Sequence, residues 1–305
     1  MSERPVIFDH RLVRMRRQRA TSLGAPDFLM RRVADDLADR LASVLRRFPR
    51  AADLGTPSKA VLEVLAASGK TDVIIAADAV LSSRGRTEPP KAGVLALAAD
   101  EEALPFGQES LDLVISAFAL HFVNDLPGVL VQIRRALRPD GLFIAALAGG
   151  DTLTELRQSF VAAEVAIEHG LSPRVVPLLD VRAAGTLLQR ADFALPVADL
   201  DRLIVRYDSP IALMHDLRSL GATNPMIERS RRPLKRALLE RMAEVYHERF
   251  SDADGRVRAT FDTVWLSGWA PHPDQQKPLA PGSARQRLAD ALGVKEYPAG
   301  EEAGR

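Results

Sequence analysis

Three aspartates close short apolar runs: Asp53 in Ala-Ala-Asp53-Leu-Gly55, Asp78 in Ile-Ile-Ala-Ala-Asp78, and Asp100 in Leu-Ala-Leu-Ala-Ala-Asp100. A carboxylate accepts two hydroxyl hydrogen bonds, so an acid at the end of a second strand suits a vicinal diol such as that of a ribose. Asp78 has that place; the plainer reading is a solvated strand-end acid. Asp100 is followed by Glu101 and then by Leu104-Pro105-Phe106. An acid there can accept from an exocyclic amino group, with the apolar triplet as a wall, or it can be a turn acid. Downstream, Phe118-Ala-Leu-His121 ends another apolar run. His121 is a candidate general base, although a lone histidine in an apolar run is more often a packed wall.

The elements that position these residues follow from periodicity. Short Val-, Ile-, Leu- and Ala-rich runs at 51–54, 72–77, 93–98, 111–116 and 142–148 read as buried strands. Helical spacing covers 27–48, 60–67 and 126–137, the last closed by the turn Arg138-Pro139-Asp140-Gly141. Strands alternating with helices imply a parallel sheet covered on both faces. Beyond Gly150 the reading continues with a helix over 152–169 capped by Asp151, a helix over 181–190 and a one-side-exposed strand over 197–207. Helices over 210–220 and 233–249 then precede a last strand at 258–269. Trp265 and Trp269, four apart in that strand, share one face and serve packing.

The expected architecture is α/β: seven strands, mostly parallel and Rossmann-like, with a helical insertion before the last strand. Its parts are a basic segment and helix (1–48), a core (49–208), a helical lid (209–256), the final strand (257–270) and a loosely ordered tail (271–305). Ligands of such sheets sit at the carboxyl ends of the strands, where the strand order reverses.

Composition narrows the class. A chain of 305 residues, 47% hydrophobic, can bury a sizeable core. A formal net charge of +1 gives no bulk field for nucleic acid or membrane. Cysteine is absent, which rules out disulfides and thiolate chemistry. No apolar run reaches the roughly 20 residues of a spanning helix, and no metal site of obvious spacing stands out. The expectation is a cytoplasmic protein. Arg11, Arg14, Arg16, Arg17 and Arg19 form a basic run that reads as a solvated helical face or, alternatively, as a lid or a contact to an acidic partner.

Several stretches carry a resemblance. Ala99 to Phe106, Leu111 to Ser116, His121-Phe122-Val123-Asn124-Asp125-Leu126-Pro127 and Leu137 to Phe143 resemble class I S-adenosylmethionine methyltransferases. Ile7 to Arg11, Gly149 to Arg157, Leu171-Ser172-Pro173, Leu220 to Asn224, and Ala259 to Trp269 are more specific. They resemble the methyltransferase-type assembly factors of respiratory complex I, from mitochondria and alphaproteobacteria. The methyltransferases that cap malonyl-carrier protein share the layout more distantly.

The resemblance implies S-adenosylmethionine as cofactor, held by Asp53, Gly55, Asp78, Asp100, Glu101 and Phe118. It implies a substrate or lid region containing His121, Asp151, Thr152, Glu155 and Arg157. The implied partner is a complex I subunit, with a peripheral place at the inner membrane through it, and the mitochondrial relatives are associated with arginine hydroxylation of that subunit. One departure stands out. The family loop reads Asp-Leu-Gly-Cys-Gly-x-Gly, whereas here Gly55 is followed by Thr56-Pro57-Ser58-Lys59. Proline removes a donor and fixes φ, and a lysine near a sulfonium repels it unless its flexible side chain points into solvent. Each effect is on the order of 1–3 kcal/mol, which predicts weakened cofactor binding. Three readings stay open: an assembly factor of methyltransferase type, a non-catalytic binding module on the same fold, and an O-methyltransferase of malonyl-carrier protein or a small metabolite.

Overall fold

The computed structural model describes residues 6–23, 28–80, 93–168, 170–275, 290 and 293. Asp27, His169 and most of the 271–305 tail lie outside them. The elements are α1 (His10–Leu23), α2 (Phe28–Ala42), β1 (Arg50–Leu54), α3 (Ala60–Ala67), β2 (Val73–Asp78), β3 (Val94–Ala98), β4 (Leu111–Ala117), α4 (Leu126–Ala136) and β5 (Leu137–Gly149). There follow α5 (Thr154–Ile167), α6 (Val181–Arg190), β6 (Ala194–Tyr207), α7 (Pro210–Ser219), α8 (Arg236–Phe250) and β7 (Val257–Trp269).

The seven strands form one sheet in the order β3-β2-β1-β4-β5-β7-β6. The first five are parallel, and β7 runs antiparallel to both β5 and β6. Ala51, Leu113 and Ile144 bury one face of the sheet against α2 and α3, while Ala52, Val114 and Phe143 bury the other against α4 and α6. Burial on both faces is why these strands read as continuous apolar runs. A third cluster joins Leu156 and Phe160 of α5, Leu213 of α7 and Met242 and Tyr246 of α8 to Val257, Ala259 and Phe261 of β7. It packs the insertion α7–α8 onto the sheet. Trp265 lies in the core, with the Arg40 guanidinium 4.3 Å from its ring centroid.

Three local readings change. The turn at 138–141 is absorbed into β5: Asp140 takes φ +58° and donates its N–H to Ala270 O, and Ala270 N–H donates to Gly141 O. The bend is a bulge that lengthens β5 rather than a break before it. The helix expected to end at 48 stops at Ala42. Asp151 does not cap α5, whose N-cap is Leu153 at φ +58° without a side-chain cap, because the Asp151 carboxylate is taken by Arg202 at 2.6 Å.

Beyond Pro271, the described residues begin with a turn in which Gln275 N–H donates to His272 O.

Candidate active site

Strand order turns back between β1 and β4: the chain goes from β1 outward to β2 and β3, then returns to β4 on the other side. In open sheets of this order the ligand crevice lies outside the carboxyl ends of the strands at this point. The loop after β1 is built from inside. Asp53 is fully buried and accepts from the Thr56 hydroxyl, whose oxygen accepts from Ala117 N–H at 3.0 Å. Ser116 Oγ donates to Leu54 O at 2.8 Å. The ends of β1 and β4 are thus stitched together. Gly55 sits at φ +65° with its N–H donating to Ala77 O at 2.8 Å. A Cβ there would stand 2.8 Å from Glu101 Oε1 and 2.9 Å from the Ala119 methyl, so glycine is required by both conformation and space.

Asp78 ends β2, is 2% exposed, and accepts from Val80 N–H at 2.8 Å. Asp100 follows β3 in a turn closed by Glu102 N–H at 3.0 Å. Its other oxygen accepts from Arg14 Nη2 at 2.6 Å. Burial works to raise the Asp100 carboxyl, but the Glu102 N–H and Arg14 more than offset it and hold it below the usual carboxylate range. Glu101 pairs with Arg17 at 2.9 Å. The basic run therefore meets acids of its own chain: α1 lies across the crevice with one arginine on Asp100 and the next turn's on Glu101. Lys59, expected near the ligand, is exposed at the start of α3. Of the altered loop, Thr56 is buried as the partner of Asp53, and Pro57 faces a neighbouring cavity.

Pro57 lines a cavity of about 130 Å³ beside the crevice, with Phe118, His121, Thr152, Phe261 and Asp262. Phe118 holds φ +49°, unusual for a bulky residue, and its N–H is pinned to Ala146 O at 2.8 Å. Its ring meets His121 edge-on at 6.3 Å. His121 lies in a single 3-10 turn, Leu120–Phe122, and its Nδ1 is buried with no hydrogen-bond partner among the described residues. Burial, and secondarily the Arg17 charge, pushes its pKa down to about 3. His121 is thus neutral at physiological pH and a poor general base, in keeping with a wall.

Thr152 Oγ1 donates to Gly149 O at 2.7 Å and accepts from Asp262 N–H at 2.8 Å. Asp262 is the acid in the cavity lining, and it is held by Arg202 through Nε and Nη2, both at 2.7 Å, and by Asp151 N–H at 2.9 Å.

Of the residues singled out by sequence, Asp53, Gly55, Asp78, Asp100 and Glu101 gather at the strand ends, and Phe118, His121 and Thr152 gather at the adjoining cavity. Asp151 reaches it only through Arg202 and Asp262. Glu155 is turned to β7, accepting from Thr260 N–H at 3.0 Å and Thr260 Oγ1 at 2.5 Å. Arg157 lies on another cavity, with Val161 and Leu171. Sequence reasoning missed Thr56, the Arg14 and Arg17 pairings, and Asp262. Only the last carried a signal, an acid in the middle of a buried strand.

Comparison with known proteins agrees with this geometry. Residues 52–145 match a family described as a methyltransferase domain. The chain is 39% identical over 283 residues to the human protein named arginine-hydroxylase NDUFAF5, mitochondrial, covering 91% of this chain and 81% of that one. It is 33% identical over 266 residues to the malonyl-[acyl-carrier protein] O-methyltransferase of Laribacter hongkongensis, covering 83% and 86%. The YcgJ protein of Bacillus subtilis has the same fold, with a TM-score of 0.53 at 16% identity over 77% of this chain and 98% of that one. Sheet order, crevice and relatives agree: the chain belongs to the methyltransferase-fold family of the mitochondrial arginine-hydroxylase NDUFAF5.

Proposed function

We propose that the chain is an S-adenosylmethionine-binding, methyltransferase-type assembly factor of respiratory complex I. The observation that carries the reading is the convergence of a left-handed Gly55, a buried Asp78 and Asp100 on one crevice, next to a largely apolar cavity. The residues fit a nucleoside. Gly55, in a left-handed turn with no room for a Cβ, keeps bare backbone at the end of β1. Asp78 is placed for the ribose hydroxyls, and Asp100 for the adenine amino group once Arg14 yields. With Lys59 exposed, the expected repulsion of the sulfonium falls away, and Pro57 instead walls the acceptor cavity. When bound, S-adenosylmethionine supplies an electrophilic methyl group.

The chain's own residues orient and exclude. Phe118 and Phe261 shield the cavity, and neutral His121 offers its unpartnered Nδ1 to an acceptor without taking its proton at neutral pH. Residues 209–256 serve as the lid, since Leu217, Leu220 and Ala222 at the end of α7 line the acceptor cavity. Within the N-terminal segment, α1 closes the cofactor side through Arg14 and Arg17. The partner is a complex I subunit, reached from the cytoplasm at the inner membrane; no described helix is long and apolar enough to cross a membrane.

Two observations favour other readings. The cavity's Asp262 is already held by Arg202, which suits a neutral or anionic acceptor and the O-methyltransferase reading. Arginines on Asp100 and Glu101 suit a binding module without cofactor. Titration with S-adenosylmethionine and S-adenosylhomocysteine separates the last reading from the rest. Deleting the gene and measuring assembled complex I tests the partner; normal assembly would refute it.

A further inference from the structure

A further cavity, of about 290 Å³, opens between α1, α5, α7 and the segment 222–234 that leads toward α8. Its charge is one-sided: Arg16, Arg174, Arg229 and Arg232 line it, and no acid among the described residues does. Arg174 is neutralised by Glu164 at 2.7 Å, and Arg229 is paired with Asp9 at 3.3 Å. The other two differ. Arg16 Nη1 donates to Thr223 O and Asn224 O, both at 2.8 Å, which aims the guanidinium without cancelling its charge. The Arg232 side chain has no ion pair among the described residues. Burial and the Arg229 charge both weaken Arg16's hold on its proton, with only Asp9 opposing. Like charges converging in a half-enclosed space are unfavourable unless an anion completes them. The rest of the wall is apolar, made by Leu156, Phe160 and Met214 among others.

We propose that this chamber is an anion site for an oxyanion carried on an apolar stem, the oxyanion seated among Arg16, Arg229 and Arg232 and the stem lying on Leu156, Phe160 and Met214. A guanidinium presents a planar fork that matches carboxylate and phosphate alike, so these are the two sources of the same chemistry. The chamber shares Leu153, Val176, Leu217 and Ala222 with the acceptor cavity, and its arginines lie outside the cofactor residues, so it needs no cofactor to be filled.

The test is calorimetric titration of the full chain, without cofactor, with hexanoate, hexyl phosphate, inorganic phosphate and neutral hexanamide. One-to-one binding of at least one hexyl anion is expected, with hexanamide silent and inorganic phosphate at least tenfold weaker than hexyl phosphate. Hexanoate binding tighter than hexyl phosphate assigns the site to carboxylates, and the reverse to phosphates. Arg232→Gln touches no internal ion pair, so its fold is safe; it should weaken binding roughly tenfold, the effect of losing one charge-assisted hydrogen bond. Arg16→Lys keeps the charge but loses the fork, and should weaken binding several-fold. The proposal is overturned by equal binding of hexanamide, by unchanged affinity in both variants, or by no saturable binding of either hexyl anion up to about 10 mM, the weak end of specific recognition.

Discussion

Arg14 competes with the nucleoside for Asp100, and Arg14→Ala should therefore tighten cofactor binding. The pair is a single contact of 2.6 Å with side chains 39% and 40% exposed. An ion pair so open to water is worth about 0.2–1 kcal/mol. A ligand that takes Asp100 must first displace Arg14, and removing the arginine returns that energy as affinity, about 1.4- to 5-fold. Salt gives an independent check. Raising ionic strength screens the pair, so the advantage of the variant over the wild type should shrink between low and high salt. The assay is calorimetric titration of both proteins with S-adenosylhomocysteine at two salt concentrations. An unchanged affinity would show that Arg14 does not stand in the ligand's way. A weakened one would make Arg14 part of the site, and the competition argument would be wrong in sign.

Gly55→Ala forces a methyl group into a left-handed position and against Glu101 and Ala119; a loss of about 2–4 kcal/mol in denaturant unfolding is expected, and a loss below about 0.5 kcal/mol would refute the crowding. His121 is held neutral in the folded chain, so an unfolded chain with an ordinary histidine binds the extra proton below about pH 6.5. Stability from this group is complete above that pH and falls as pH drops, by up to about 1.4 kcal/mol per unit. His121→Leu should remove that slope between pH 6.5 and 5, and identical pH profiles of unfolding would contradict it. Asp262→Asn removes the fully buried one of Arg202's two counter-charges and leaves it only the exposed Asp151. Because Arg202 can turn to solvent, the expected cost is about 2–3 kcal/mol, at or below the low end for a broken buried pair, and a neutral effect on the unfolding midpoint would refute the role given to Asp262.

What the sequence disclosed and what it hid divide along sequence distance. The strand-end acids were legible because each follows a buried apolar run, and the one-side-exposed β6 was legible because it alternates. The insertion before the last strand followed from the spacing of its helices and from the resemblance together. The partners of the basic run were hidden: Arg14 meets Asp100 across 86 residues and Arg17 meets Glu101 across 84, and no local pattern links them. The same distance defeated the reading of Asp151 as a cap, since Arg202 claims it from 51 residues away. Lys59 stayed open between two directions for another reason. Its place in the loop was clear, but the direction of a long side chain is decided by the packing around it. The break expected at Pro139-Gly141 failed because the Ala270 hydrogen bonds compensate for an unfavourable φ at Asp140.

The claim on which the rest depends is that the crevice over Gly55 holds an adenosyl cofactor. Titration of the purified chain with S-adenosylhomocysteine, beside Asp78→Ala, tests it most directly. The account predicts one-to-one binding with a dissociation constant in the micromolar range, weakened at least tenfold in the variant, since Asp78 would lose two charge-assisted hydrogen bonds. Absence of saturable binding up to about 1 mM, where only about 4 kcal/mol of affinity would remain, would contradict it. Full affinity in Asp78→Ala would contradict it too.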